Sequence, residues 1–254
     1  LKLQVSNLLV YGVVEVAGLH KAPFNGKAEI ILAGKKSSSL PVLVGEGKFI
    51  GSKVLAVMGD LTMIGKPVIE SWVRLGQTAY RSSSTAVLNV KSTSWSIGDE
   101  VVFAPTAYFV EDGGLWSDSV EAVEIRTVTD ISKVENMTQI SFDKPLEHTH
   151  MCQLLEGHNF CGAVGILSHN LKIRSLDSDI VSDTTNYGFG GHIVAVDLIE
   201  ELYSAERFFS GALHLEGVEL KNLGKVNSDH YAVSFDYSGE HAYNLVANCS
   251  FVGG

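Results

Sequence analysis

Two histidines and an aspartate stand at equal spacing near the C-terminal end: 22 residues separate His192 from His214, and 22 more separate His214 from Asp236. If the chain coils with a 22-residue period, the three would stack at the inter-strand spacing of about 4.8 Å. Ile193, Leu215 and Tyr237 would then face inward. Two imidazoles and a carboxylate so placed could hold a divalent metal or do acid–base work on a sugar. An apolar–polar–apolar repeat in the C-terminal segments gives a different register. With two strands per coil and long loops between them, His192 lies near Ala232 to Ser234 and His214 near Asn244 or Leu245. In that register the three form no column and remain separate surface or hydrogen-bonded groups.

Other groups offer weaker chemistry. His148, His150 and His158 surround Cys152, as a metal site or as a polar loop rim. Glu111, Asp112 and Asp118 lie on a Gly-rich loop with Trp116, where calcium or a sugar could bind or the loop could simply be solvated. Carboxylates for a glycosidase pair are too numerous to single out. Eight residues lie between Cys152 and Cys161, close enough to close a small loop in an oxidising compartment. Cys249 is left over as a small apolar residue, and no CxxC pair points to structural zinc. Two N-glycosylation sequons start at Asn136 and Asn248; the second sits where an inward-stacked structural Asn is expected. There is no phosphate-cradling glycine loop and no serine nucleophile elbow.

The elements that must position these groups are strands. Short Val-, Ile- and Leu-rich runs alternate with polar residues and are punctuated by 25 glycines against 5 prolines. That pattern predicts an all-β chain. Residues 37–51 read as a polar loop, and residues 198–209 as the one short helix, with Ile199, Leu202, Tyr203 and Phe209 on one face. From Trp72 to His150 the strands suggest a small barrel or sandwich inserted in the chain. Beyond Gly162, three segments share an apolar–polar–apolar close after a small residue or Asn: Asn170-Leu171-Lys172-Ile173, Gly217-Val218-Glu219-Leu220 and Asn248-Cys249-Ser250-Phe251. Such an irregularly spaced repeat is expected of a parallel β-helix whose loops bulge from some coils. The 254 residues, 45% hydrophobic and 19% charged, exclude disorder, and a net charge of −10 argues against nucleic acid or an anionic membrane as partner. With no initiator Met, signal peptide or long apolar run, the chain reads as a piece of a longer protein.

The opening Asn7-Leu8-Leu9-Val10-Tyr11-Gly12-Val13-Val14-Glu15-Val16, followed by Ala22-Pro23-Phe24-Asn25-Gly26-Lys27-Ala28, resembles the second half of the G-eight domain. That domain is found in fibrocystin, fibrocystin-like proteins and the hyaluronidases related to cell-migration-inducing protein. The likeness continues in order through Gly51-Ser52-Lys53-Val54-Leu55-Ala56-Val57, Trp95-Ser96-Ile97-Gly98-Asp99-Glu100-Val101-Val102 and Phe189-Gly190-Gly191-His192-Ile193 to Leu215-Glu216-Gly217-Val218-Glu219-Leu220. It implies a right-handed parallel β-helix with an inserted small β domain. The expected limits are 1–71 for the G-eight part, 72–150 for the insert and 151–254 for further coils. It also implies a large extracellular or cell-surface parent, cilia included, tethered by a membrane helix outside this segment. The oxidising compartment implied by the family favours a Cys152–Cys161 disulfide.

Hyaluronidase-like members carry a His-Phe-His triplet where this chain has Ser234-Phe235-Asp236, and losing both imidazoles removes the groups best able to shuttle protons near neutral pH. The resemblance therefore implies a non-catalytic module for adhesion, receptor contacts or coat assembly. A hyaluronan- or glycan-degrading hydrolase using His192, His214 and Asp236 is one alternative, and glycan binding without turnover is another. The implied partners are an extracellular protein, a glycan or further copies of the chain. No cofactor is called for, beyond the divalent metal that a histidine ladder would take.

Overall fold

Alternation of apolar and polar residues builds strands, and strands too short to bury a face alone must stack on copies of themselves. A computed structural model of the chain describes residues 1–17, 21–45, 47–106, 123–176, 188–202, 205–236 and 243–253. A first coil consists of β1 (Lys2–Val5), β2 (Leu8–Val10) and β3 (Val13–Val16). The next comprises β4 (Ala28–Leu32), a hairpin of β5 (Val42–Val44) and β6 (Lys48–Gly51), then β7 (Val54–Val57) and β8 (Asp60–Ile64). An insert follows, with β9 (Trp72–Arg74), β10 (Thr85–Leu88), β11 (Glu100–Phe103), β12 (Glu124–Val134), β13 (Met137–Phe142), β14 (Cys152–Leu155), β15 (His158–Cys161) and β16 (Ala163–Ile166). The third coil holds β17 (Leu171–Ser175), β18 (His192–Val196), a hairpin of β19 (Leu198–Leu202) and β20 (Ala205–Phe209), and β21 (Ala212–Glu216). The fourth is β22 (Val218–Lys221), β23 (Val233–Asp236) and β24 (Leu245–Ala247), and β25 (Ser250–Val252) opens another turn.

Equivalent strands of successive coils pair in parallel. Three sheets result: β1-β4-β17-β22-β25, β2-β7-β18-β23 and β3-β8-β21-β24. This is a parallel β-helix, all-β as the sequence predicts. The three repeat segments are β17, β22 and β25, adjacent in one sheet, with Leu171 opposite Val218, Ile173 opposite Leu220 and Leu220 opposite Phe251. Inward columns such as Ile30, Ile173 and Leu220, or Val16, Met63 and Leu215, fill the helix interior. At the corners, side-chain amides satisfy backbone groups that turn away from the ladders. Asn170 accepts from Lys66 N and donates to the carbonyls of Phe24 and Gly26, while Asn244 accepts from Leu213 N. Gly59 is required by close approach, since a Cβ there would meet the Gly12 carbonyl oxygen at 2.2 Å.

Residues 37–51 are not wholly loop, because Val42, Val44 and Ile50 turn inward from the β5–β6 hairpin onto the outer side of β7 and β18. Nor do residues 198–202 and 205–209 form a helix; they are β19 and β20, paired antiparallel, and Tyr203 lies outside the described residues. The segment obeys a period of two: Leu198 is buried and Ile199 exposed, with Phe208 exposed opposite Ile199 and Glu200 opposite Arg207. An isolated 12-residue helix is marginal, whereas Leu198 and Phe209 gain burial against the second core. Among the described residues no helix is long and apolar enough to cross a membrane.

Packing divides the chain into one unit of Leu1–Pro67 with His169–Gly254, and another of Val68–Ser168. The second unit is antiparallel, in the order β10-β13-β12-β11-β16-β9, and β9 meets β10 again through Leu75 and Leu88. Gly76 N donates to Val87 O and Asn89 N to Arg74 O at this seam, so the six strands close into a small barrel around Val101, Phe103, Ile140 and Val164. Residues 151–168 pack with this unit because β16 lies between β9 and β11.

Candidate functional site

β18 begins with His192, whose neighbour on β7 is Val54. The outward face of these strands lies beneath the β5–β6 hairpin, so His192 is buried although it points away from the helix interior. Its Nε2 faces the Ile50 carbonyl at 2.9 Å and must carry the proton; its Nδ1 therefore accepts from Lys225 Nζ at 2.6 Å. The ring of His230 stacks on it, centroids 4.4 Å apart and planes 5° from parallel. Burial, then the Lys225 ammonium and His230, push His192 down to about 3 against the pull of the Ile50 carbonyl. It is a neutral imidazole at physiological pH.

Lys225 stands on the loop after β22, 5.3 Å from the centre of the Phe189 ring. Burial, followed by the neighbouring Lys53, lowers it to about 7. Lys53 is fully buried, donates to the Phe189 carbonyl at 3.3 Å and also lies near that ring. Burial and Lys225 lower His230, while Asp236 and Asp229 act in the opposite sense. Gly51 makes room for the stack: its φ is +82°, and a Cβ would approach His230 Nε2 to 2.6 Å. The cluster is thus two amines, two imidazoles and one aromatic ring, with the carboxylates of Asp229 and Asp236 at its exposed rim.

The equally spaced triad does not form a column. His192 lies on β18 and His214 on β21, strands of different sheets, because coil length varies with the loops. His214 sits between Thr62 and Leu245, and its buried Nε2 has no hydrogen-bond partner among the described residues, Glu216 Oε2 being 3.7 Å away. Asp236 pairs with Val196 at the exposed end of β23. This is the second of the two registers open in the sequence. Lys53, Phe189, Lys225 and His230 were missed there. Their one signal was a lysine heading the otherwise apolar strand Val54–Val57.

In the barrel unit, Glu124 is buried and accepts from Arg126 Nη2, Glu147 N (2.7 Å), His148 N (2.9 Å) and His150 Nε2 (2.9 Å). Burial raises its carboxyl, but the Glu147 amide, His150, the His148 amide and Arg126 outweigh burial and hold it below the usual carboxylate range. His150 Nδ1 bonds Ala104 O, so this histidine is a structural partner of Glu124. His148 contributes its backbone, and His158 is exposed on β15. Among the described residues no three His, Cys, Asp or Glu side chains are placed to hold a metal ion. Glu111, Asp112, Trp116 and Asp118 lie outside the described residues.

Cys152 and Cys161 face each other across β14 and β15 in a disulfide, and Cys249 is free, its thiol raised by burial. Asn136 is exposed in the turn between β12 and β13. Asn248 is exposed too, instead of stacked inward, because it turns the corner before β25 with a φ of 51°.

Residues 1–76 match the G8 domain. The G8 match covers the first two coils and runs on through β9. Over 253 residues, 93% of the chain, the sequence is 26% identical to human fibrocystin-L, of which it spans 5%. It is 26% identical over 190 residues to the human cell migration-inducing and hyaluronan-binding protein (70% of this chain, 12% of that one). To human cell surface hyaluronidase CEMIP2 it is 27% identical over 157 residues, 59% of this chain and 10% of the relative. The chain therefore spans a small part of the curated relatives it matches. Among solved structures, the Gp54 tailspike of Acinetobacter baumannii bacteriophage AP22, in complex with capsular saccharide, aligns over 99% of this chain and 41% of its own, with 12% identity and a TM-score of 0.32. The Pseudomonas phage phi297 tailspike gp61 aligns over 95% and 38%, with 10% identity and a TM-score of 0.34.

Proposed function

We propose that this chain is a non-catalytic β-helix module of a large extracellular, cell-surface protein, acting in adhesion, receptor contacts or assembly of an extracellular coat. The observation that carries this reading is the disposition of the acid–base groups. His192 has both ring nitrogens engaged, by the Ile50 carbonyl and Lys225, and is held neutral. His214 and Asp236 lie on other strands. A general acid and base must reach one reacting bond, and these do not converge. A surface location is supported by the relative named as a cell surface hyaluronidase, by the Cys152–Cys161 disulfide and by the exposed sequon residues Asn136 and Asn248.

A second reading, glycan binding without turnover, is favoured by Lys225. Its half-buried amine meets His192 and Phe189 and, among the described residues, no carboxylate. It could accept the carboxylate of an acidic sugar.

The test is incubation of the protein with size-defined hyaluronan, with calcium and with chelator. Chain length should stay constant in both. Depolymerisation that disappears in His214→Ala would overturn the non-catalytic reading. Retention of hyaluronan without cleavage, weakened by Lys225→Met, would select the second.

A further inference from the structure

The barrel unit carries a built cleft that the proposed role of the β-helix does not use. It opens along β9, has a volume of about 510 Å³ and is bounded by Ile69, Glu70, Trp72, Arg74 and Asn89. A second cleft of about 370 Å³ shares Ile69 and Glu70 and continues past Lys91 to Thr93. Both volumes fall in the range of small-ligand sites, about 300–1,000 Å³. Trp72 is 57% exposed, which is costly for so large an apolar side chain without a partner. Its cross-strand neighbour on β16 is Gly165, so no side chain stands beside the indole at that position. Arg74, two residues on and on the same face, lies with its guanidinium 5.9 Å from the indole ring and donates to Cys161 O at 2.9 Å.

The segment that leads into β9 is fixed in advance. Trp95 Nε1 donates to Glu70 O at 2.6 Å, Ile69 N to Ser94 Oγ at 3.2 Å, and Ile166 N to Ser71 O at 3.0 Å. Asn89 N donates to Arg74 O, which sets Asn89 beside the platform while leaving its side-chain amide exposed. In the second cleft, Thr93 Oγ1 is buried with no hydrogen-bond partner among the described residues.

We propose that this cleft binds a short neutral oligosaccharide. A pyranose ring has one apolar C–H face and a rim of hydroxyls. An exposed indole matches the face, and a planar amide, a guanidinium and a carboxylate at its edges match the rim. Tied backbone keeps the ordering cost low. Neutrality follows from charge: Glu70 offsets Arg74, Arg74 is already engaged, and a chain of net charge −10 disfavours a polyanion in a cleft with its own carboxylate. This site is built from residues of the barrel unit and shares none with the Lys225 cluster, so it is tested separately from the function proposed above.

Calorimetric titration of the full chain with cellotetraose, chitotetraose and a hyaluronan tetrasaccharide tests it. At least one neutral sugar should bind saturably, Trp72→Ala should weaken that binding about tenfold or more, and Trp72→Phe should retain most of it. Asn89→Ala should weaken it several-fold at unchanged Tm. If Trp72→Ala loses its fold, the phenylalanine and Asn89 variants carry the test. The proposal fails if neither neutral sugar binds up to about 10 mM, if the Trp72 and Asn89 variants bind like the parent, or if the hyaluronan tetrasaccharide binds more tightly than both.

Discussion

At the scale of single residues, Lys225 is the group whose chemistry departs furthest from its sequence. An exposed lysine keeps its proton to about pH 10.4; here burial and Lys53 bring release down to about 7. In the unfolded chain the amine stays protonated over the window from about 7 to the ordinary lysine value. Across it the unfolded state binds more protons than the folded one, so stability rises with pH. Lys225→Met removes that titration. The stability of the parent relative to Lys225→Met should therefore climb between about pH 7 and 10, approaching one proton of linkage, as measured by urea unfolding. A flat or falling difference would show that Lys225 is solvated. Apart from the lysine that heads β7, little of this was legible in the sequence, since Lys53, His192 and the loop that carries Lys225 and His230 belong to three different coils and only stacking brings them together.

At the scale of elements, the coil is the unit of design, and its corners are where single changes matter most. Asn170 closes three backbone groups, the Lys66 amide and the Phe24 and Gly26 carbonyls, just before β17. Asn170→Ala leaves them to water or unpaired and should destabilise by about 2–3 kcal/mol, with Gly165 to Ile173 otherwise unchanged in sequence. A loss below about 0.5 kcal/mol in chemical denaturation would mean that the corner re-forms without the amide. Much at this scale could be read in advance. The segments after Asn170, Gly217 and Asn248 predict the in-register sheet because inward columns demand a fixed apolar–polar phase. The stretch 198–209 misled because Ile199 and Leu202 are spaced three apart, as on a helix face, within a run short enough to serve either structure. The 22-residue ladder failed for a related reason: hairpins and loops inside the coils make their lengths unequal, so equal spacing in sequence does not mean equal height on the helix.

At the scale of the whole molecule, the chain enters the barrel unit from Pro67 and leaves it at Ser168. The flanking coils meet directly, with Lys66 N on Asn170 Oδ1 at 2.8 Å and β4 pairing β17 across the gap in sequence. Replacing residues 68–168 by a short Gly-Ser linker should therefore leave a folded β-helix. Its core column of Ile30, Ile173 and Leu220 and its buried histidines lie wholly outside the excised segment. Those histidines give the excised protein a recognisable acid response. His169 is lowered to about 4 by burial and Lys172, and His192 to about 3 by burial and Lys225. Both are neutral in the folded state and protonated in the unfolded state below about 6.5, so stability falls as pH drops from there towards 4, with close to two protons taken up on unfolding. The Glu124 network, whose depressed carboxyl adds a further loss below about pH 4.5, leaves with the barrel. The excised protein should unfold cooperatively by circular dichroism and keep the loss above pH 4.5 that the full chain shows, while losing the additional one below it. An excised chain without a cooperative transition would show that the coils depend on the barrel for their stability.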